Sequence, residues 1–264
     1  MVSENSTNPE AKISPKTKMA TVTTSPVTAK IAMLLAEGAI ETRDDLNFVV
    51  EHHSALLSGD RLIPIVQKIP TAFAELPQTH FLQAVVFYHL QHKETADKQD
   101  WAKAYEKFAT LLPHANTGEM LGFYIPNYCF LALRNKGGDA HELEDLFVRT
   151  RAGAEQIPEP AQHQLMGFIT YNYARLLIKQ GRQADAAPFY IAAGNARVSY
   201  YLKIKDTANQ TDLRGAATQV WKIREDWETL LPNADISDCP VTKELFDEVA
   251  VWADPAFSAK SKKS

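Results

Sequence analysis

The chain has 264 residues, 45% hydrophobic and 23% charged, with 11 Gly and 14 Pro. That balance is ordinary for a soluble globular protein and excludes a collagen-like, low-complexity or disulfide-scaffold chain. The net charge is −4. With the basic ends at 1–30 and 259–264 set aside, 21 basic and 30 acidic residues remain, a balance of −9. This argues against a nucleic-acid partner, which needs clustered Lys and Arg.

Residues 1–27 are rich in Ser, Thr and Lys and lack an apolar run, so they are expected to form a flexible arm with no secretory signal. Helical spacing begins near Val27, with Ile31, Leu34 and Leu35 on one face. A second helix is expected over 43–57, where Leu46, Val49, Val50 and Leu56 recur. Gly59 and Asp60 break it. Pro64, close to the start of the apolar piece 61–68, suits a first helical turn. Phe81, Ala84, Val85 and Tyr88 then lie at i, i+3, i+4 and i+7. After the polar linker His92–Asp100, the same spacing returns in Trp101, Ala104, Tyr105, Phe108 and Leu111.

The segment 121–133 is densely apolar and carries Pro126, which implies a late start or a kink. Gly137 and Gly138 mark a turn, and either one is a candidate turn glycine. Leu143, Leu146 and Phe147 begin the next helix, which ends before Pro158. The clearest pair covers 163–180 and 184 onward, with Gly181 as the turn and Pro188 near the start of its second helix. That second helix is expected to reach Ile204. A helix follows over 211–230 and a short one over 243–252. Residues 255–264 read as a frayed basic tail. Strand-type alternation is scarce, so the fold class expected is all-α, an α-α superhelix of antiparallel helix pairs, with about ten helices across a domain spanning 28–254.

The segment Tyr171–Ala193 carries a recognisable grammar. Tyr173 and Ala174 supply an apolar–small pair, Leu177 a large residue and Gly181 the turn. Ala186, Tyr190 and Ala193 supply the small–aromatic–small positions of the second helix. This pattern resembles a tetratricopeptide repeat, in which small residues let helices approach and the aromatic fills the gap to the next pair. Ala104/Phe108/Leu111 and Leu143/Phe147/Thr150 look like degraded second helices. Ala104 and Leu143 are 39 residues apart, and Leu143 and Ala186 are 43 apart. The family period is about 34 residues, so the repeats are irregular.

Catalytic and metal signatures are absent from the sequence. It holds no GxGxxG, P-loop, GxSxG or HExxH. His52 and His53 are adjacent and diverge on a helix, while His89 and His92 share a face without an accompanying carboxylate motif. Glu142, Glu144 and Asp145 are expected on a solvated outer face. Cys129 and Cys239 lie far apart outside any CxxC, and Cys129 is expected to be a core residue. No 18-residue apolar window is present, so no membrane span is expected, and a cytoplasmic location is the default. No cofactor is expected.

In tetratricopeptide proteins the first helices line a concave groove. The resemblance therefore implies a protein or peptide partner, held by Tyr171, Asn172, Arg175 and Lys179 in the best pair. Tyr128, Asn135 and Lys136 fall in similar places in the preceding pair. Arg175 and Lys179 share a face at i, i+4, as in the basic clamp some family members use for a peptide's terminal carboxylate. The function expected is a non-catalytic scaffold or adaptor. The alternatives are a regulatory sensor of a signalling peptide or small ligand, and an irregular α-helical enzyme.

Overall fold

A computed structural model describes residues 26–37, 40–93, 98–115 and 120–253. Twelve α-helices and four short 3-10 turns, with no strand, make up the regular structure of the described residues. The helices are α1 (Pro26–Glu37), α2 (Arg43–Glu51), α3 (His53–Leu57), α4 (Leu62–Gln67), α5 (Pro77–Lys93) and α6 (Lys98–Ala109). They continue as α7 (Met120–Lys136), α8 (Ala140–Glu155), α9 (Ala161–Lys179), α10 (Gln183–Ile204), α11 (Gln210–Leu230) and α12 (Lys243–Ala250). The fold is all-α, as the periodicity predicts. The arm expected over 1–27 and the tail expected over 255–264 lie outside the described residues, except Pro26 and Val27, which begin α1.

The helix expected over 43–57 is two helices, and the cause is local. His53 directs Nδ1 to the carbonyl of Val50 at 2.7 Å, the acceptor that the amide of residue 54 would use in a continuing helix. His52 caps α2, with its ring Nδ1 3.0 Å from the carbonyl of Phe48. At the other end of α2, Thr42 and Asp45 form a reciprocal capping box, which satisfies amides the helix leaves unpaired.

From α5 onward the chain folds as successive pairs, α5/α6, α7/α8, α9/α10 and α11/α12, each packed on its neighbours in sequence. Two of the turns are built alike. Gly137 (φ 80°) and Gly181 (φ 76°) both sit in the left-handed region. In both, the next amide reaches back to close the helix: Gly138 N–H to Leu133 O and Arg182 N–H to Leu177 O, each at 2.9 Å. This is the glycine C-cap in which an orphan carbonyl is satisfied by a 6→1 bond. Gly137 is thus the turn glycine, and these two turns are 44 residues apart. The longer period comes from long helices, since α8 and α9, which fill this interval, have 16 and 19 residues.

Pro126 lies inside α7, which continues through it. A proline removes the amide that would bond four residues back, and that carbonyl belongs to Gly122. A Cβ on Gly153 of α8 would come within 2.2 Å of the Gly122 carbonyl oxygen, so the freed carbonyl sits at a close approach of α7 and α8.

The small and aromatic positions named from the sequence are core. Ala174, Ala186, Tyr190 and Ala193 are fully buried, as are Ala104, Phe108 and Thr150. Phe147 of α8 stacks on Tyr173 of α9 at 4.1 Å, and Phe189 of α10 meets both edge-on, which couples three helices through one aromatic cluster. Cys129 is buried, and burial pushes its thiol up to about 12. No helix among the described residues is long and apolar enough to cross a membrane.

Candidate functional site: a basic cavity on the first helices

The first helices of successive pairs touch one another along one face. Tyr88 of α5 packs edge-on against Tyr128 of α7 at 5.3 Å. Arg134 of α7 donates from Nη1 to Oδ1 of Asn172 on α9 at 2.9 Å. Tyr171 of α9 donates its hydroxyl to Oδ2 of Asp226 on α11 at 2.5 Å. Polar side chains thus bridge α7, α9 and α11 in turn.

Between these three helices lies a cavity of about 260 Å³ lined by Arg134, Tyr171, Asn172, Arg175, Leu176, Lys179 and Lys222. Four of the seven lining residues are cationic, in a protein whose core balance is acidic. Only one lining residue, Leu176, is purely apolar.

The cavity is held rigid from beneath. Asp226 is 6% exposed and receives the Tyr171 hydroxyl as well as Nη1 of Arg175 at 3.4 Å. Arg175 also donates to the Tyr171 oxygen at 3.0 Å. The Tyr171 ring is covered on its face by the guanidinium of Arg197, 4.0 Å from the centroid, a cation–π contact. Asn172 donates back to the carbonyl of Phe168 at 2.9 Å, which fixes its oxygen toward Arg134.

The electrostatics follow from this geometry. Burial, then the hydrogen bond to Asp226, raise the pKa of Tyr171, so it remains a neutral donor. Burial lowers the pKa of Arg134, and the positive charge of Arg175 adds to that effect. Arg175 loses hydration on burial, but the Tyr171 bond and Asp226 more than compensate. Two guanidinium groups repel across the cavity while one carboxylate is committed beneath it. An anion entering there relieves the repulsion and accepts charge-assisted hydrogen bonds.

Four of the seven sequence-predicted residues line this cavity: Tyr171, Asn172, Arg175 and Lys179. The other three do not. Tyr128 is 8% exposed, donates its hydroxyl to Nε2 of His53 at 3.0 Å and stacks on Phe108 at 4.9 Å. It is a core residue because α2 and α3 fold over this stretch of α7: Tyr124, one turn earlier, donates to the Glu51 carbonyl. Asn135 is half-buried beside Tyr88 of α5. Lys136 turns toward α6, with Nζ 4.1 Å above the Tyr105 ring.

The sequence reading missed Arg134, Lys222 and Asp226. Asp226 carried a signal, since it interrupts the apolar register between Ile223 and Leu230. Among the other groups weighed for chemistry, His89 pairs with Asp60 at 3.0 Å and His92 packs on Trp101. Glu142 accepts the Tyr105 hydroxyl, while Glu144 and Asp145 are exposed. No group of three His, Cys, Asp or Glu side chains suited to a metal ion occurs among the described residues. Comparison of the chain with protein-family models, with curated proteins and with solved structures finds no match.

Proposed function

We propose that this protein is a non-catalytic scaffold of tetratricopeptide-like repeats that binds an anionic end of a peptide or protein partner in the groove lined by α7, α9 and α11. The observation that carries this reading is the convergence of Arg134, Arg175, Lys179 and Lys222 on one cavity of about 260 Å³. Drug-sized ligand sites occupy about 300–1,000 Å³, so this space suits a carboxylate and its adjoining residue. Asn172 and Tyr171 add polar groups whose positions are fixed by Arg134 and Asp226.

The acidic balance of the remaining core supports selectivity for a local anion. A long polyanion is repelled by the surroundings, while one carboxylate is attracted by the cavity. Cytoplasmic action belongs to this reading, supported by two cysteines that are free, buried thiols of the kind a reducing compartment maintains.

The test is a hexapeptide library presented with free and with amidated C-termini. Peptides selected by the full-length chain are expected to lose about ten- to a hundredfold in affinity on amidation, the range for losing one charge-assisted hydrogen-bond set. Selected peptides indifferent to amidation, or a library with no binders, would refute the reading.

A further inference from the structure

A second cavity, of about 230 Å³, lies one helical turn toward the N-termini of α9 and α11. Gln164 and Phe168 of α9, Arg197 and Tyr200 of α10, and Gly215 and Gln219 of α11 line it. Two of these residues have features that the fold itself does not require.

The first is Arg197, which is 5% exposed. It sits on the buried register of α10, four residues from Ala193 and from Tyr201. Its guanidinium covers the Tyr171 ring and makes one hydrogen bond, from Nη1 to the Gln219 carbonyl at 3.1 Å. None of the ion pairs among the described residues includes it. Burial pushes its pKa down to about 10, only partly offset by Tyr171, Asp226 and Tyr190 nearby, as expected for a cation that has lost water with no carboxylate in direct ion-pair contact among the described residues. The rest of its donor fork remains for the cavity it lines. Space for its stem is reserved by Gly167 of α9, where a Cβ would lie 2.8 Å from Arg197 Cγ.

The second is Gly215, in the interior of α11. Glycine is the weakest helix former after proline. At Gly167 and Gly194 an added Cβ would meet a neighbour at 2.8 and 2.2 Å, so packing explains those glycines. At Gly215 an added Cβ meets nothing within 4 Å. Packing does not call for glycine there, and its absent side chain leaves the cavity wall open.

We propose that this cavity is a binding site for a carboxylate on a short apolar stem, with Arg197 as its anion receptor and Phe168 and Tyr200 flanking the stem. The volume is below the range of drug-sized ligands, which excludes a nucleotide. One guanidinium faces the space, and Asp212 lines its rim with its carboxylate taking the Asn209 amide at 2.6 Å. That balance favours a monoanion over a phosphate dianion. The carboxylate comes from a glutamate or aspartate side chain of a groove-bound peptide or from a free small acid. Only the first source rests on the peptide-binding reading.

The test titrates the full-length chain with N-acetylglutamate N-methylamide, with glutarate and with inorganic phosphate, following the Arg197 Nε–H and Gly215 amide signals by NMR. The capped glutamate or glutarate is expected to shift both signals saturably, with phosphate clearly weaker. Arg197→Lys should weaken binding at least about tenfold, since a point charge replaces a planar fork. Gly215→Leu should do the same by filling the cavity, and its open surroundings keep that variant folded if Arg197→Lys is not. Lys179→Ala, at a residue that lines the basic cavity alone, should leave these titrations unchanged, which separates this site from that cavity. Binding of the capped glutamate assigns the source to a peptide side chain, and binding of glutarate alone assigns it to a free acid. The proposal is overturned if neither acid shifts the signals, if phosphate binds as well as they do, or if folded Gly215→Leu binds like the parent.

Discussion

His53 makes the stability of this protein fall on acidification by a predictable amount. The residue is 1% exposed. Its Nδ1 donates to the Val50 carbonyl at 2.7 Å and its Nε2 accepts the Tyr128 hydroxyl at 3.0 Å. Phe81 and Tyr124 enclose it edge-on. Both nitrogens are therefore used by the neutral ring, and a proton on Nε2 would set donor against donor. Burial, followed by the neighbouring His52, lowers its pKa from 6.5 to about 4. A histidine with a depressed folded pKa contributes stability that is fully present above the unfolded value. That contribution is lost as pH falls from 6.5 toward 4, where the unfolded chain binds the proton that the folded chain refuses. Over that interval, at about 1.36 kcal/mol per pH unit, the loss approaches about 3 kcal/mol. For a chain of this size that corresponds to roughly 6–12 °C in Tm. The assay is thermal melting between pH 4.5 and 8, comparing the parent with His53→Gln, which removes the titration. The parent should lose stability more steeply below pH 6.5, and the two curves should converge. Parallel curves across that range would refute the assignment.

Other expectations follow from the same packing. All nine tyrosines have raised pKa values, and seven of them are buried. Stability should hold up to about pH 10 and then fall, because the unfolded chain releases phenolic protons there that the folded chain keeps. Absorbance at the phenolate band should rise in one cooperative step with unfolding, and gradual titration of a folded chain would contradict this. Ala186→Leu overpacks the fully buried contact of α10 with α9 and should cost about 1–3 kcal/mol in a urea melt; a neutral change would mean the contact is not tight. Gly215→Ala and Gly153→Ala should have opposite signs. The first should stabilise by up to about 1 kcal/mol as a better helix former in open space, and the second should destabilise because its Cβ meets Gly122 backbone at 2.2 Å. Equal effects in thermal melts would contradict the geometry at both positions.

The legible part of this protein was what local spacing controls. Ala186, Tyr190 and Ala193 announced a tight helix pair, and Gly181 its turn. Arg175 and Lys179 announced a shared polar face on the preceding helix, because i, i+4 placement needs no tertiary knowledge. Tyr128 was misplaced because its burial depends on α2 and α3, more than 70 residues earlier in the chain, and no local pattern encodes that cover. Arg134 was passed over for its neighbours Asn135 and Lys136, since a one-residue change in register rotates a side chain by about 100°. Arg197 and Asp226 were hidden differently. Each occupies an apolar register, where a pattern reader counts the hydrophobic neighbours and passes over the charge among them. A charge on a buried stripe is the sequence signal that marked the site here, since a buried ion must be compensated by something.

The most direct measurement uses Arg134 and Lys222, which the cavity contains and the sequence pattern did not mark. A library-selected peptide with a free C-terminus is titrated calorimetrically into the parent chain and into the Arg134→Gln, Lys222→Ala double variant. The basic-groove account predicts that the folded double variant binds about ten- to a hundredfold more weakly, with the loss shrinking at high salt. Unchanged affinity in the folded variant would contradict it and move the binding surface away from α7, α9 and α11.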